Sequence, residues 1–314
     1  MDILVQPLNR LIRVEPGASL LQALQAAQVP MSYSCMAGRC GTCRCRVLDG
    51  GSDGFVLACQ TYLTEPCTVE IAEPDEVIVH PARIVKATVA SLDDLTHDIK
   101  RLVLRLAKPV EFSPGQYVQL QFTPDHVRPY SMAGLGGDGL FEFHVRVVPD
   151  GRVSGYIAHR LKVGDTVKLS GPLGSAYLRR KHAGPMLCVA GGTGLAPVLS
   201  LLRGAIAQGM DNPIHLYVGV RSPRDIYGLP WLDELQRLHA RLRVQVVVTS
   251  GGDAKVQRCG LVTDAIEQDH GDLSGWRAYL CGSPPMVEAA TLLVRRKGID
   301  AAHIHADAFY NQDS

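Results

Sequence analysis

The 314-residue chain has almost no net charge: 32 Lys and Arg stand against 31 Asp and Glu. Nucleic-acid binders carry a clear basic excess, so that class is set aside. Aromatic residues are scarce at 6%, with two Trp, too few for platforms on which single-stranded bases stack. A signal peptide is missing: the chain opens MDILVQPLNRLIRVEPG, which alternates like a strand and has no apolar h-region. The longest apolar run, residues 186–207, contains Arg203, Pro197 and three glycines in four positions. It reads as strand, glycine turn and helix, not as a membrane span. The nucleotide loop G-x-x-x-x-G-K-[ST] is also absent.

Cysteine, by contrast, is plentiful, with nine residues. In a leaderless chain this points to the cytoplasm, where thiols bind metal or stay free more often than they pair. The length suggests two or three domains, and 46% apolar residues suffice for real cores.

Three cysteines fall in SCMAGRCGTC as Cys35, Cys40 and Cys43, and Cys59 follows in VLACQ. C-x4-C-x2-C…C is the plant-type [2Fe-2S] spacing. Four thiolates hold two irons and their bridging sulfides, and Gly38 and Gly41 let backbone N–H groups approach the sulfurs. The rival is a structural zinc site, but zinc usually takes two paired C-x2-C knuckles, and only Cys40 and Cys43 make such a pair. Cys67 is the alternative to Cys59 as fourth ligand. Cys45 lies two residues past Cys43 on a strand and is read as core. Around the loop, ILVQPLNRLIRVEPG reads as a hairpin, SLLQALQAAQV as a helix with Ser19 as its cap, and CTVEIAEP as a closing strand.

From residue 83 to about 178, short alternating strands with Gly/Pro turns predict an antiparallel barrel. Two segments there could hold a nucleotide. In RPYSMAG, Arg128 suits phosphate, Tyr130 a flat ring and Ser131 a ring nitrogen. Each is weak evidence alone. In DGRVSGYIAHRL, Gly151 and Ser154 open a helix, a ready place for pyrophosphate, although an ordinary N-cap serine gives the same pattern.

From residue 185, continuous apolar strands alternate with helices, which predicts a doubly wound parallel sheet. Its first turn is GGTGLAP: Gly191, Gly192, Thr193 and Gly194, with Pro197 in the first turn of the following helix. Cys281 and Gly282, in YLCGSPPM, end a later strand and should face the same crevice as Gly191. Cys281 is read either as a neighbour of nicotinamide or as plain packing. Cys188 is read as core, and Cys259 has no assignment.

In this order the segments resemble the NAD(P)H-dependent reductases of bacterial aromatic-ring-hydroxylating dioxygenases. The likeness covers nearly the whole chain, through GRCGTCRCRV, LACQ, EFSPGQY, RPYSMAG, KLSGPLG, GGTGLAPVLS, GWRAYLCG and ADAFY. It implies a plant-type ferredoxin (β-grasp) domain over 1–74, a linker over 75–82, an FAD-binding β-barrel over 83–180 and an NAD(P)-binding domain over 181–314. It implies that Cys35, Cys40, Cys43 and Cys59 ligate a [2Fe-2S] cluster. Arg128, Tyr130 and Ser131 would bind FAD, with Ser131 by the flavin N5, and Gly151 and Ser154 would take its pyrophosphate. Gly191, Gly192, Thr193, Gly194 and Pro197 would cradle the dinucleotide, with Cys281 and Gly282 at the nicotinamide. Phe309 and Tyr310 would lie near the isoalloxazine, and Ser131 and Cys281 would be catalytic. Electrons would run from NADH, with NADPH as a second donor, through FAD and the cluster to a Rieske-type ferredoxin or a terminal oxygenase. A cytoplasmic monomer that binds neither nucleic acid nor membrane is expected. The alternative within the class is the reductase of a di-iron aromatic monooxygenase. One departure is visible: fifteen residues separate Cys43 from Cys59, where the family carries a longer loop.

Overall fold

The computed structural model describes residues 1–309 except 32, 34–37, 39–42, 49–53, 72–75, 77, 79, 138 and 256. Cys35, Cys40, Arg39, Gly41 and Tyr310 therefore lie outside the described residues. The chain forms two compact units, 1–83 with 171–175, and 84–170 with 176–314.

In the first unit, β1 (Asp2–Gln6) and β2 (Arg10–Arg13) form the predicted hairpin. The helix α1 (Leu20–Ala26) follows, then β3 (Arg44–Val47), β4 (Phe55–Leu57) and β5 (Cys67–Glu70). The sheet order is β2-β1-β5-β3-β4, with β1 and β5 parallel at its centre. The helix lays Leu20, Leu21 and Leu24 on Ile3, Val5 and Val69, the grasp arrangement. Ser19 occupies the cap position, but its side chain makes no capping bond. The first helical amide, that of Leu20, instead donates to Thr61 O at 2.9 Å. The residue after the Ala58–Gln60 turn thus satisfies the first amide of the helix. Cys45 is buried in this core, as its alternation predicts.

The second unit begins with six antiparallel strands: β6 (Arg83–Asp94), β7 (Ile99–Leu106), β8 (Tyr117–Thr123), β9 (His126–Ser131), β10 (Leu140–Arg146) and β11 (Thr166–Leu173). Their order is β10-β7-β6-β11-β8-β9. A bridge from Met132 to Phe143 and a hydrogen bond from Ala133 N to Glu142 O (2.8 Å) bring β9 round to β10 and curl the sheet into a barrel. The barrel closes over Leu102, Leu104, Val118, Leu120, Phe141 and Phe143. The helix α2 (Arg152–His159) covers one end through Val153 and Ile157.

The rest of this unit is β12 (Met186–Gly191), α3 (Leu195–Ala207), β13 (Ile214–Val220), α4 (Leu229–Leu238), β14 (Leu242–Val248), β15 (Arg258–Cys259), α5 (Val262–Asp269), β16 (Arg277–Gly282), α6 (Pro284–Arg296) and β17 (Ile304–Ala308). All six strands are parallel, in the order β15-β14-β13-β12-β16-β17. Alternate residues feed two cores. Cys188, Leu216 and Val218 face α3 and α4, while Leu187, Val189 and Leu280 face α5 and α6. The order reverses between β12 and β16, so their carboxyl ends open the crevice where such sheets take ligands.

Candidate functional site

Of the four proposed thiolates, Cys43 and Cys59 are described. Cys43 precedes β3 and is buried, and Cys59 sits in a short 3-10 turn, Ala58–Gln60. The two approach closely: Cys59 N donates to Cys43 Sγ at 3.5 Å, and Ala58 N donates to Cys43 O at 2.9 Å. The amide of Gln60 donates to Cys59 Sγ at 3.7 Å. Gly38 has φ +73°, and a Cβ there would stand 2.7 Å from the Gln60 side chain. Gly38 therefore passes close to the Cys59 turn.

On β9, period two puts Arg128 and Tyr130 on one face and Ser131 on the other. Tyr130 packs edge-on to Phe122, with ring centroids 6.4 Å apart, and burial holds its phenol well above the ordinary range. Gly151 caps α2, where a Cβ would collide with Ser154 Oγ at 2.3 Å. Ser154 Oγ is turned onto its own loop: it accepts from Val148 N at 3.3 Å and donates to Gly151 O at 3.5 Å. The hydroxyl shapes the turn, and the first amides of α2 are left to face a ligand.

The strand β12 runs into a 3-10 turn at Gly192–Gly194, then α3. Pro197 is the third residue of α3, inside its first turn. A Cβ on Gly194 would meet Cys281 O at 2.1 Å. Gly282 has φ +147°, and a Cβ there would meet the Gly191 backbone at 3.0 Å. The tips of β12 and β16 thus touch backbone to backbone. Phe309 N donates to Gly282 O at 2.8 Å, which brings Phe309 to the same crevice.

Cys281 is 1% exposed. Burial first, then the nearby Asp307 and Cys188, hold its thiol well above the ordinary range. It pairs across the sheet with Asp307 on β17. Ser131 Oγ donates to Asp307 Oδ2 at 2.9 Å. One carboxyl therefore gathers both residues expected to be catalytic. Desolvation pushes Asp307 up to about 6, against the hydrogen bond from Ser131.

Two residues escaped the sequence reading. Asp307 is one: its signal was a lone acid inside HIHADAFY. Arg146 is the other, from the barrel strand FEFHVR. Its guanidinium lies 3.2 Å from where a Gly192 Cβ would stand, and it pairs with Asp98 at 3.3 Å. A cation of the barrel thus rests on the glycine turn.

Residues 3–64 match the 2Fe-2S iron-sulfur cluster binding domain, 86–177 the oxidoreductase FAD-binding domain and 188–291 the oxidoreductase NAD-binding domain. The chain is 58% identical, over 99% of each protein, to the ferredoxin–NAD(P)+ reductase component of naphthalene 1,2-dioxygenase/salicylate 5-hydroxylase systems from a Ralstonia species. It is 54% identical, over the same shares, to the reductase component of the naphthalene 1,2-dioxygenase system from Pseudomonas putida. The chain belongs to this family of dioxygenase reductase components. Among solved structures, the Amycolatopsis cytochrome P450 reductase superposes with a TM-score of 0.75 at 35% identity, covering 98% of each chain.

The reductase is an iron–sulfur flavoprotein that passes electrons from NADH through FAD to a [2Fe-2S] cluster. Its described residues fit these groups. Cys43 Sγ accepts from a backbone amide at 3.5 Å and Cys59 Sγ from the Gln60 amide at 3.7 Å, the donors that thiolates of a cluster take. At Gly151 and Gly194 the backbone passes where a Cβ would collide with its neighbours. No helix among the described residues is long and apolar enough to cross a membrane.

Proposed function

We propose that the reductase delivers its electrons to a Rieske-type ferredoxin or directly to the terminal oxygenase of an aromatic-ring-hydroxylating dioxygenase. It acts in the cytoplasm as a monomer and prefers NADH. A nicotinamide gives two electrons at once and a [2Fe-2S] cluster takes one, so the flavin, which handles both, stands between them. The proposed boundaries are 1–74 for the cluster domain, 83–180 for the flavin barrel and 181–314 for the dinucleotide domain, with 75–82 as linker.

The residue roles are part of the same proposal, and geometry supports them where the residues are described. Cys35, Cys40, Cys43 and Cys59 hold the cluster. Arg128, Tyr130, Gly151 and Ser154 hold FAD. The turn 191–194 with Pro197 holds the dinucleotide, while Gly282 and Phe309 border the nicotinamide and flavin rings. Ser131 faces the flavin and Cys281 the nicotinamide. Asp307, shared by both, accepts the Ser131 hydroxyl proton in a hydrogen bond, and desolvation pushes its carboxyl up to about 6.

The observation that carries this reading is the Ser131–Asp307–Cys281 arrangement. It joins the flavin motif of the barrel to the crevice of the parallel sheet. The test is an absorption spectrum of the purified protein. Flavin bands with a broad red-shifted shoulder, both bleached by NADH, are expected, followed by reconstitution with candidate ferredoxins and oxygenases. A colourless protein, or flavin bands alone, would refute it.

A further inference from the structure

Below the glycine turn lies a buried polar chain that none of the assigned roles uses. It starts on the barrel surface with Arg101, whose Nη2 donates to Glu142 Oε2 at 2.7 Å. His144 Nε2 lies 3.1 Å from Glu142 Oε1. His144 Nδ1 lies 3.0 Å from the Tyr227 hydroxyl, and that hydroxyl donates to Gly192 O at 3.3 Å. His144 is 4% exposed and lies flat against Trp231, 5.6 Å between centroids. So a histidine in the middle of a barrel strand reaches, through one tyrosine, the carbonyl at the heart of the dinucleotide turn.

Proton accounting fixes the direction of these bonds. Burial alone would raise Glu142, but hydrogen bonds from His144 and Arg101 outweigh it and hold the carboxyl at about 2. An ionised carboxylate only accepts, so His144 Nε2 carries the proton. Burial, followed by Arg203 and Arg101, holds the ring neutral against the pull of Glu142. Nδ1 is then an acceptor. The Tyr227 hydroxyl has one proton and faces two acceptors, Nδ1 and Gly192 O. Arg146, which faces Tyr227 from the barrel, helps keep the phenol from rising further, although burial dominates.

Gly192 has φ +55°, a conformation that only the surrounding structure keeps in place. Its carbonyl and the Thr193 N–H belong to one planar trans peptide and point opposite ways. Whatever holds the carbonyl also aims the amide. We propose that Tyr227 is a positioning residue for dinucleotide binding: its hydroxyl, shared between His144 and Gly192, anchors the Gly192 carbonyl and turns the Thr193 amide toward the pyrophosphate. This rests on the reading that the turn 191–194 takes the dinucleotide.

The sharing gives the two partners opposite effects. Tyr227→Phe removes the side-chain anchor, leaving the Leu195 N–H bond to Gly192 O within the 3-10 turn, and keeps the ring. Replacing His144 with Phe keeps a flat ring on Trp231 but removes Nδ1, so the hydroxyl proton goes wholly to Gly192 O. The experiment titrates NAD+ into FAD- and cluster-loaded protein by calorimetry, with FAD content and melting temperature measured alongside. Tyr227→Phe should raise the Kd for NAD+ about tenfold. In the ferricyanide assay it should raise KM for NADH, with kcat within about twofold. His144→Phe should leave Kd unchanged or lower it, and the double variant should match Tyr227→Phe alone. A Tyr227→Phe protein that keeps parental FAD content and parental Kd overturns the proposal. So does weakening by His144→Phe equal to that by Tyr227→Phe, which would mark simple packing. Gly194→Ala separates the two levels of inference. If it abolishes NAD+ binding while Tyr227→Phe does nothing, the anchor alone fails. If neither changes binding, the assignment of the turn fails with it.

Discussion

In the first unit the functional atoms stand at the tips of side chains. Cys43, just before β3, and Cys59, in a 3-10 turn, present sulfur, and although Cys43 is itself buried, the core beneath them is built mainly of aliphatic residues, Ile3, Leu20, Leu24 and Val69 among them. In the second unit the functional atoms are largely backbone. Gly191, Gly194 and Gly282 bring two strand tips together, and the space a side chain would need is already filled by Met286 at Gly191, by Cys281 O at Gly194 and by the Gly191 backbone at Gly282. A thiol can be removed from the first site without moving the chain. A methyl group added to the second cannot be housed without moving the sheet. Chemistry and architecture are separable in one unit and fused in the other.

The largest effect should come from removing a sulfur. Cys59→Ser should cut reduction of cytochrome c at least 100-fold and leave NADH–ferricyanide activity within about twofold. Parallel loss of both activities would end the claim that the thiolate site is separable.

Gly194→Ala tests the other half. With Cβ 2.1 Å from a backbone oxygen, kcat/KM for NADH in the ferricyanide assay should fall roughly 10- to 100-fold. Chemical denaturation should show a loss of about 1–3 kcal/mol. The visible spectrum of the cluster should be unchanged. A fully active variant would show that the strand tips have slack.

Much of this contrast was legible in the sequence. The alternation of ARIVKATV and QYVQLQF marks barrel strands because their two faces meet different surroundings, and MLCVAG is apolar throughout because both its faces are buried. The cysteine spacing and GGTG are local, and local patterns are what a linear reading detects. What stayed hidden depends on distant partners. The Ser19 cap was expected on propensity, yet its side chain makes no capping bond, and the first helical amide goes to Thr61 O. The strand β15 has two residues and is held by β14, with no pattern of its own. Asp307 gains its role from Ser131 and Arg146 from Gly192, pairings that only the folded chain creates.

A third prediction sharpens the comparison through pH. Desolvation raises Asp307 from its unfolded value of 3.8 to about 6. A raised carboxyl contributes stability below the unfolded value and loses it as pH rises through the folded value, so the loss develops between about pH 4 and 6. Asp307→Asn removes this penalty. Discounted for partial exposure, the variant should be about 2 kcal/mol more stable than the parent at pH 7.5 and no more stable at pH 4. Equal stability differences at both values would mean that the carboxyl is not desolvated.

The fourth concerns the donor. After β14, Ser250 Oγ donates to Arg221 O at 3.0 Å, and the next residue, Gly251, offers no cation to a 2′-phosphate. Arg258 is committed to Asp269 at 2.5 Å, to Gln268 and to Ala265 O. Arg221 and Lys255 remain as cations for a 2′-phosphate. NADH should be preferred about tenfold in kcat/KM, and Arg221→Ala should lower NADPH turnover alone. A preference for NADPH would refute this.

The smallest effect belongs to docking. On β3, Arg44 and Arg46 alternate with Cys45, which faces the core, and so face outward near the thiolate site. Arg46 pairs with Glu70 at 2.9 Å, which offsets its charge. The Arg44 guanidinium lies 3.7 Å over the ring of Phe55, an exposed aromatic opposite Arg46. Arg44→Glu should slow electron delivery to the native acceptor roughly threefold to tenfold at low salt, an effect that added salt erases. Arg46→Glu should matter less. Equal effects, or none with an unchanged salt slope, would leave the pair as solvated surface.

The hydrogen bond from Ser131 to Asp307 spans 176 residues of chain. At ribosomal speeds, roughly 10–35 s pass between the synthesis of its two ends. Every strand of the barrel is made within or before that interval, so a nascent barrel can gather its core while Ser131 still faces solvent. The carboxyl it will bind is encoded but not yet translated. The acceptor for Ser131 therefore comes from the far end of the message. An early translational arrest would leave the barrel strands without the carboxyl that Ser131 binds.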